Sequence, residues 1–223
     1  VPVKALSEAK RRLSPILAPE ARRRLVLLML EDVLGVLRGV EAIERVLVVT
    51  PDASVCESAE SKGAAAVHER RISGLNAAVR RGLANAASNG AAQALVIPAD
   101  LPFATTGEIR SLLEGSADPD RSRVVLAPDR AGTGTNALLL APPDAIAPRF
   151  GPGSFVEHLS QAVARRLDVR VVHLPGLAAD IDEPRDVLKL IAAPQTRARY
   201  GMLRASLISS ALDPPDIGGA GTK

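Results

Sequence analysis

The 223-residue chain has no tryptophan, one tyrosine and three phenylalanines. So few rings leave almost no platform for stacking unpaired bases, which argues against nucleic acid as a partner. Cysteine is nearly absent too. Cys56 stands without a CxxC partner and without a histidine close in sequence, so an internal disulfide is excluded and a zinc or thiol-nucleophile reading finds no support. The longest aliphatic run, Leu25 to Leu30, is far too short to cross a bilayer. No charged, apolar and small-residue leader pattern opens the sequence, and with the single cysteine this predicts a cytoplasmic protein without a membrane partner.

What is present has globular proportions, 47% hydrophobic and 24% charged. The length suits one substantial core, so a single domain is expected over residues 1–194. From about Gln195 the apolar period is lost, and residues 195–223 read as a flexible C-terminal tail. The net charge is only +3 but unevenly spread: Lys4, Lys10, Arg11, Arg12, Arg22, Arg23 and Arg24 face only Glu8 and Glu20 in the first 24 residues. Arg22 to Arg24 read as the solvated face of a helix, whereas the earlier cations suit a small polyanion.

Short β-branched runs alternate with helical stretches: Arg45 to Thr50, Ala64 to His68, Ala94 to Pro98, Arg123 to Ala127, Asn136 to Leu140 and Val169 to His173 read as strands. Between them, Pro19 to Val40, Ser54 to Lys62, Leu75 to Ala87, Thr106 to Glu114, Ser154 to Arg166 and Pro184 to Ala193 carry helix-spaced apolar residues. This alternation predicts an α/β fold with a mainly parallel sheet. Residues 123–140, two strands with a glycine-rich link, predict one antiparallel insertion. Val1 to Lys4 reads as the end of a strand whose beginning is missing.

Ligands of open α/β sheets bind beyond the carboxyl ends of strands, so the residues that follow each apolar run carry the chemistry. Lys4, Lys10 and Arg12 bring cations to that edge, and Gly74-Leu75-Asn76 offers a turn and an amide suited to a base edge or ribose. Asp100 lies between Pro98 and Pro102 as a stiffened metal seat, and Asp180 and Asp182 form a second acidic loop. Asp182 also fits the N-cap of the following helix. Thr133, Thr135 and Asn136 supply donors, and Arg149-Phe150-Gly151-Pro152-Gly153-Ser154 has the makings of an anion site at a helix start. Ser154 with Glu157 equally fits a capping box, which needs no ligand. His158, one turn later, reads as a surface residue. Cations, carboxylates and few histidines suit phosphoryl or nucleotidyl transfer, where alignment and charge neutralisation matter more than acid–base chemistry.

The stretches Pro2 to Lys4, Ala9 to Leu13, Met29 to Val33, Gly74 to Asn76, Asp100 to Pro102, Gly134 to Asn136, Arg149 to Phe155 and Asp180 to Asp182 occur in this order over about 180 residues. As an ordered set they resemble the CofC/FbiD guanylyltransferases. The resemblance implies a Rossmann-like nucleotidyltransferase fold of the glycosyltransferase-A type, a three-layer sandwich with a mostly parallel mixed sheet. It implies transfer of GMP from GTP to a three-carbon phosphorylated acid (2-phospho-L-lactate, phosphoenolpyruvate or 3-phospho-D-glycerate), with release of pyrophosphate, during assembly of coenzyme F(420). Lys4, Lys10 and Arg12 would then hold the triphosphate, and Gly74, Leu75 and Asn76 the guanosine. Asp100, Lys10 and Arg12 would be catalytic, while Asp100, Asp180 and Asp182 would ligate Mg2+. Thr135, Asn136, Arg149, Gly151, Gly153 and Ser154 would bind the acceptor acid. A homodimer is compatible with this reading. The chain departs from the family where Arg11 replaces the usual serine. Two alternatives stay open: a cytidylyl, molybdopterin or sugar nucleotidyltransferase, whose usual glycine-rich opening loop is absent here, and a non-catalytic nucleotide-binding module on the same fold.

Overall fold

The computed structural model describes residues 1–69, 74–114 and 122–211. Pro19 occupies the first turn of α1 (Pro19–Arg38), where its missing N–H costs nothing. Leu25, Met29, Leu30, Val33, Leu34 and Leu37 follow at helical spacing and form one buried stripe. Beyond it, β1 (Leu47–Thr50) and β2 (Ala65–His68) pair in parallel through α2 (Ala53–Ser61). Val1 to Val3 runs beside β1, with Val3 N–H donating to Val49 O at 2.9 Å.

After α3 (Leu75–Ser88), the larger sheet is built from β3 (Ala94–Val96), β4 (Arg123–Pro128), β5 (Thr135–Ala141) and β6 (Asp168–Val171), in the order β3-β5-β4-β6. The antiparallel insertion expected in residues 123–140 is β5, which runs against both β3 and β4, while β6 is parallel to β4. Every residue of β4 is buried, because helices cover both faces. Side-chain alternation sorts them: Val125, Ala127, Ala137 and Leu139 pack with Val33 and Leu37 of α1 and with Ile109 and Leu112 of α4 (Thr106–Leu113). Val124, Leu126, Leu138 and Leu140 pack on the other side with Val79 and Leu83 of α3 and Ala162 of α5 (Ser154–Ala164). The result is helix, sheet, helix. A cavity of about 560 Å³, lined by residues of β1, β3 and α3, lies between the two sheets.

The chain behaves differently after residue 194 from what loss of period predicts. α6 (Pro184–Ala192) is followed by α7 (Pro194–Tyr200) and α8 (Leu203–Ala211), and Tyr200 and Leu203 are buried in the core with Leu30 and Leu34. Two polar anchors hold α7 to α1: Arg199 pairs with Glu31 at 2.9 Å and with Asp32, and the Tyr200 hydroxyl donates to Asp32. Burial and then Asp32 push the Tyr200 phenol far above its ordinary value, so it stays a donor. Residues 212–223 of the expected tail lie outside the described residues. Among the described residues no helix is long and apolar enough to cross a membrane.

Candidate functional site

Lys10 sits between two short 3-10 turns with φ of +50°, a left-handed conformation that costs a lysine on the order of 1 kcal/mol. The turn delivers its buried ammonium to two carboxylates, Asp100 Oδ2 at 2.6 Å and Asp182 Oδ1 at 2.7 Å. Burial alone would lower the Lys10 pKa, but the two carboxylates outweigh it and raise the value, so the amine is charged. Asp100 follows β3, and its carbonyl accepts from Ile181 N–H at 3.2 Å, which ties the two acidic loops together. Burial also works against the Asp182 carboxylate, but Lys10, then Arg12 and Lys4, hold it below the ordinary range. Lys4 and Arg12 are themselves exposed at the rim of this centre.

Asp182 does not cap α6. Glu183 is the N-cap, in a box closed by Asp186, whose Oδ2 accepts from Glu183 N–H at 2.9 Å and from Asp182 N–H at 3.3 Å. The Asp182 side chain is thereby left to the site. Asp180 sits above the ordinary carboxylate range, first by burial and then through the charge of Asp100. Asn136, expected to face an acceptor, instead donates from Nδ2 to Leu177 O at 2.9 Å and to Asp180 Oδ1 at 3.3 Å. The expected trio of metal ligands is not assembled as a cage: among the described residues no group of three His, Cys, Asp or Glu is placed to hold an ion. The reason is Lys10, whose ammonium stands between Asp100 and Asp182.

The second centre forms around Ser154, which is 1% exposed. It is the first residue of α5, not its cap; Gly153 is the N-cap, and no side-chain cap forms, so the capping-box reading falls. Its Oγ instead accepts from Thr135 N–H at 2.9 Å. Gly151 and Gly153 have φ of +134° and +74°, which favour glycine. In this run the N–H groups of Arg149, Phe150, Ser154 and Phe155 are spent on His158 Nε2, Asn76 Oδ1, Gly151 O and Thr133 O. Among the described residues those of Gly151 and Gly153 donate to no protein acceptor, and the Arg149 side chain is exposed and forms no ion pair.

Asn76 is likewise elsewhere than expected. Its amide clamps the Phe150 peptide at both ends, Nδ2 to Phe150 O at 2.9 Å and Phe150 N–H to Oδ1 at 2.7 Å. It thus joins the start of α3 to the 149–154 run. Gly74 and Leu75 do line a cleft of about 250 Å³ with Lys4, Arg11 and Glu69. Arg11, the departure from the family pattern, therefore faces a cavity. His158 corrects the sequence reading outright. It is fully buried, 3.0 Å from Thr135 Oγ1 and 2.9 Å from Arg149 N. Its spacing of four from Ser154 was the one signal available, because positions one turn apart share a helix face.

Residues adjacent in β5 link the two centres: Thr135 meets Ser154 and His158, while Asn136, pointing the other way, meets Asp180. The protein assigned as a nucleotide-diphospho-sugar transferase from Desulfovibrio desulfuricans G20 has the same fold, with a TM-score of 0.71 over 94% of this chain and 95% of that one, at 15% identity. A nucleotidyl transferase from Methanothermobacter thermautotrophicus matches with a TM-score of 0.55 over 92% of this chain and 97% of that one, at 19% identity. Both likenesses, at under 25% identity, show the fold, a three-layer α/β sandwich.

The family described as "Guanylyl transferase CofC like" matches residues 1–213, and the chain belongs to it. It is 46% identical over 190 residues to the phosphoenolpyruvate guanylyltransferase of Sphaerobacter thermophilus, covering 85% of this chain and 90% of that protein. The enzyme of the same name from Rubrobacter xylanophilus is 45% identical over 86% of this chain and 92% of its own length. The 2-phospho-L-lactate guanylyltransferase of Methanothermobacter thermautotrophicus is 35% identical over 86% and 82%.

Proposed function

We propose that the protein transfers GMP from GTP to phosphoenolpyruvate, with pyrophosphate as the other product, as a step toward coenzyme F(420). The observation that carries this reading is an anion cradle joined through Thr135 and Asn136 to a carboxylate centre. In the cradle, Ser154 Oγ is already an acceptor for Thr135 N–H, so its own hydrogen is available to a ligand anion. The N–H groups of Gly151 and Gly153 and the start of α5 add donors and partial positive charge. The names borne by the relatives at 46% and 45% identity favour phosphoenolpyruvate over the other three-carbon acids.

The acceptor's phosphate is an anion at neutral pH and needs no general base. One of its oxygens forms a bond to the α-phosphorus of GTP as the bond from that phosphorus to the β-bridging oxygen breaks, and the electron pair leaves with pyrophosphate. Ser154, Thr135 and the glycine run hold the acid, while Lys10, Lys4 and Arg12 offset charge on the triphosphate. The cleft beside Gly74 and Leu75 is the proposed base pocket.

The acidic centre also fits a magnesium ion. All its donors are carboxylate oxygens, Asp100 Oδ1 is buried with no hydrogen-bond partner, and Asp180 has no cationic partner among its described contacts. Asp100, with Asp180 or Asp182, would hold Mg2+, which when bound neutralises phosphate oxygens and orients the leaving pyrophosphate. The test is a pyrophosphate-release assay with GTP, Mg2+ and each of the three acids in turn, repeated with CTP and ATP. Release that requires GTP and phosphoenolpyruvate, and that collapses in Asp100→Ala, is expected. Preference for CTP, or turnover indifferent to the acid, overturns the proposal.

A further inference from the structure

Ser154 has an evident role in the cradle; His158 has none in the chemistry above, yet it is the most buried ionisable side chain near it. No part of it is exposed, and both ring nitrogens are engaged. The Arg149 contact decides which nitrogen carries the proton. A backbone N–H can only donate, so Nε2, 2.9 Å from it, must present a lone pair. A neutral imidazole with a bare Nε2 carries its hydrogen on Nδ1, and Nδ1 is 3.0 Å from Thr135 Oγ1. The Thr135 hydroxyl therefore accepts from His158. Its own single hydrogen then has to go elsewhere, as the Ser154 hydrogen does after accepting from Thr135 N–H. Phe150 closes the ring's remaining side, edge-on with centroids 4.9 Å apart.

We infer that His158 is a positioning residue for acceptor binding: through Nδ1–H it keeps the Thr135 hydroxyl hydrogen turned away from the ring and free to donate to an anion, and through Nε2 it holds the peptide of Arg149 at the mouth of the same cradle. A freely rotating hydroxyl could present either a hydrogen or a lone pair to an anion, and the second is repulsive. Supplying a donor on one side bars the hydroxyl hydrogen from turning towards the ring and so biases it towards the cradle before the ligand arrives. Burial keeps the ring neutral, with its pKa lowered to about 4, so this polarity persists through the physiological range. This inference rests on the reading of the cradle as the acceptor site.

Three variants separate the two hydrogen bonds. His158→Phe keeps the ring's bulk and removes both. His158→Asn places an amide hydrogen near the position of Nδ1–H, and His158→Gln places an amide oxygen near that of Nε2. In the pyrophosphate-release assay, His158→Phe is expected to raise the KM for phosphoenolpyruvate about tenfold while the KM for GTP stays within about twofold. His158→Asn should recover more of the loss than His158→Gln, because the Thr135 donor is what it restores. In a Thr135→Val background, His158→Phe should add less loss than it causes alone, leaving only the share carried by the Arg149 peptide, since the hydroxyl it orients is gone.

Should the Phe variant fail to fold, the contrast between Asn and Gln carries the test. Equal changes in both KM values, an unmoved acceptor KM, or Gln recovering at least as well as Asn would overturn the role given to His158. A wild-type protein that releases no pyrophosphate with any of the acids overturns the acceptor-site reading itself, and this inference with it.

Discussion

Ser154→Ala tests the cradle most directly, because the one oxygen it deletes has two separable duties. Towards the protein, Oγ accepts from Thr135 N–H at 2.9 Å in a place where Ser154 is 1% exposed. Alanine leaves that N–H buried without its acceptor, which costs about 1–3 kcal/mol of folding stability. Towards the ligand, the proposed hydroxyl donor to a charged oxygen contributes about 1.5–3 kcal/mol. Lost from acceptor binding alone, that corresponds to a KM for phosphoenolpyruvate about 12- to 150-fold higher. In the proposed site GTP is held by the cations and the other cleft, so its KM should stay within about twofold. Steady-state pyrophosphate release with each substrate varied in turn reads both numbers, and urea unfolding reads the stability term. Ser160→Ala, exposed on the same helix, is the control and should change neither. Matching losses for acid and GTP would refute the argument, since Ser154 would then only support the fold.

Three further outcomes follow from the same geometry. His158 gives a pH dependence: above about pH 6.5 the ring is neutral folded and unfolded, but as pH falls towards 4 the unfolded chain takes a proton that the buried ring refuses. Wild type should therefore lose up to about 3 kcal/mol relative to His158→Phe between pH 6.5 and 4, read by urea unfolding across that range, and a pH-independent difference would contradict it. Tyr200→Ala empties a fully buried site in the core and releases Asp32, and should cost about 3–5 kcal/mol, with Tyr200→Phe costing about 1–2 kcal/mol; unfolding midpoints unchanged in both would show that α7 is dispensable. Asn76→Ala frees the Phe150 peptide from its clamp and should raise the KM for the acid more than that for GTP, about fivefold against less than twofold, whereas the reverse order would return Asn76 to the guanosine.

Much of this molecule is legible in its order of residues. Alternating apolar periods specify α/β architecture because each strand and helix must bury one face or stripe, and the two strands around the Gly-Thr-Gly-Thr link specify the reversal at β5. Motifs at strand ends identify Asp100, Thr135, Ser154 and Asp182 as polar groups at the edge where ligands bind, since turn chemistry and strand ends are local properties. Family membership is carried by the same ordered motifs.

The partners of those residues are another matter. Lys10 meets Asp100 across 90 residues and Asp182 across 172, which makes it the resident cation of the acidic centre. Asn76 reaches Phe150 across 74 residues, and Tyr200 reaches Asp32 across 168, folding a segment whose own period predicts nothing. His158 looks like a surface histidine until β5 brings Thr135 against it. A sequence determines which groups each position can offer and how the nearest turn will bend; which donor faces which acceptor is decided only when the core closes, because that choice is made by contacts between elements far apart along the chain.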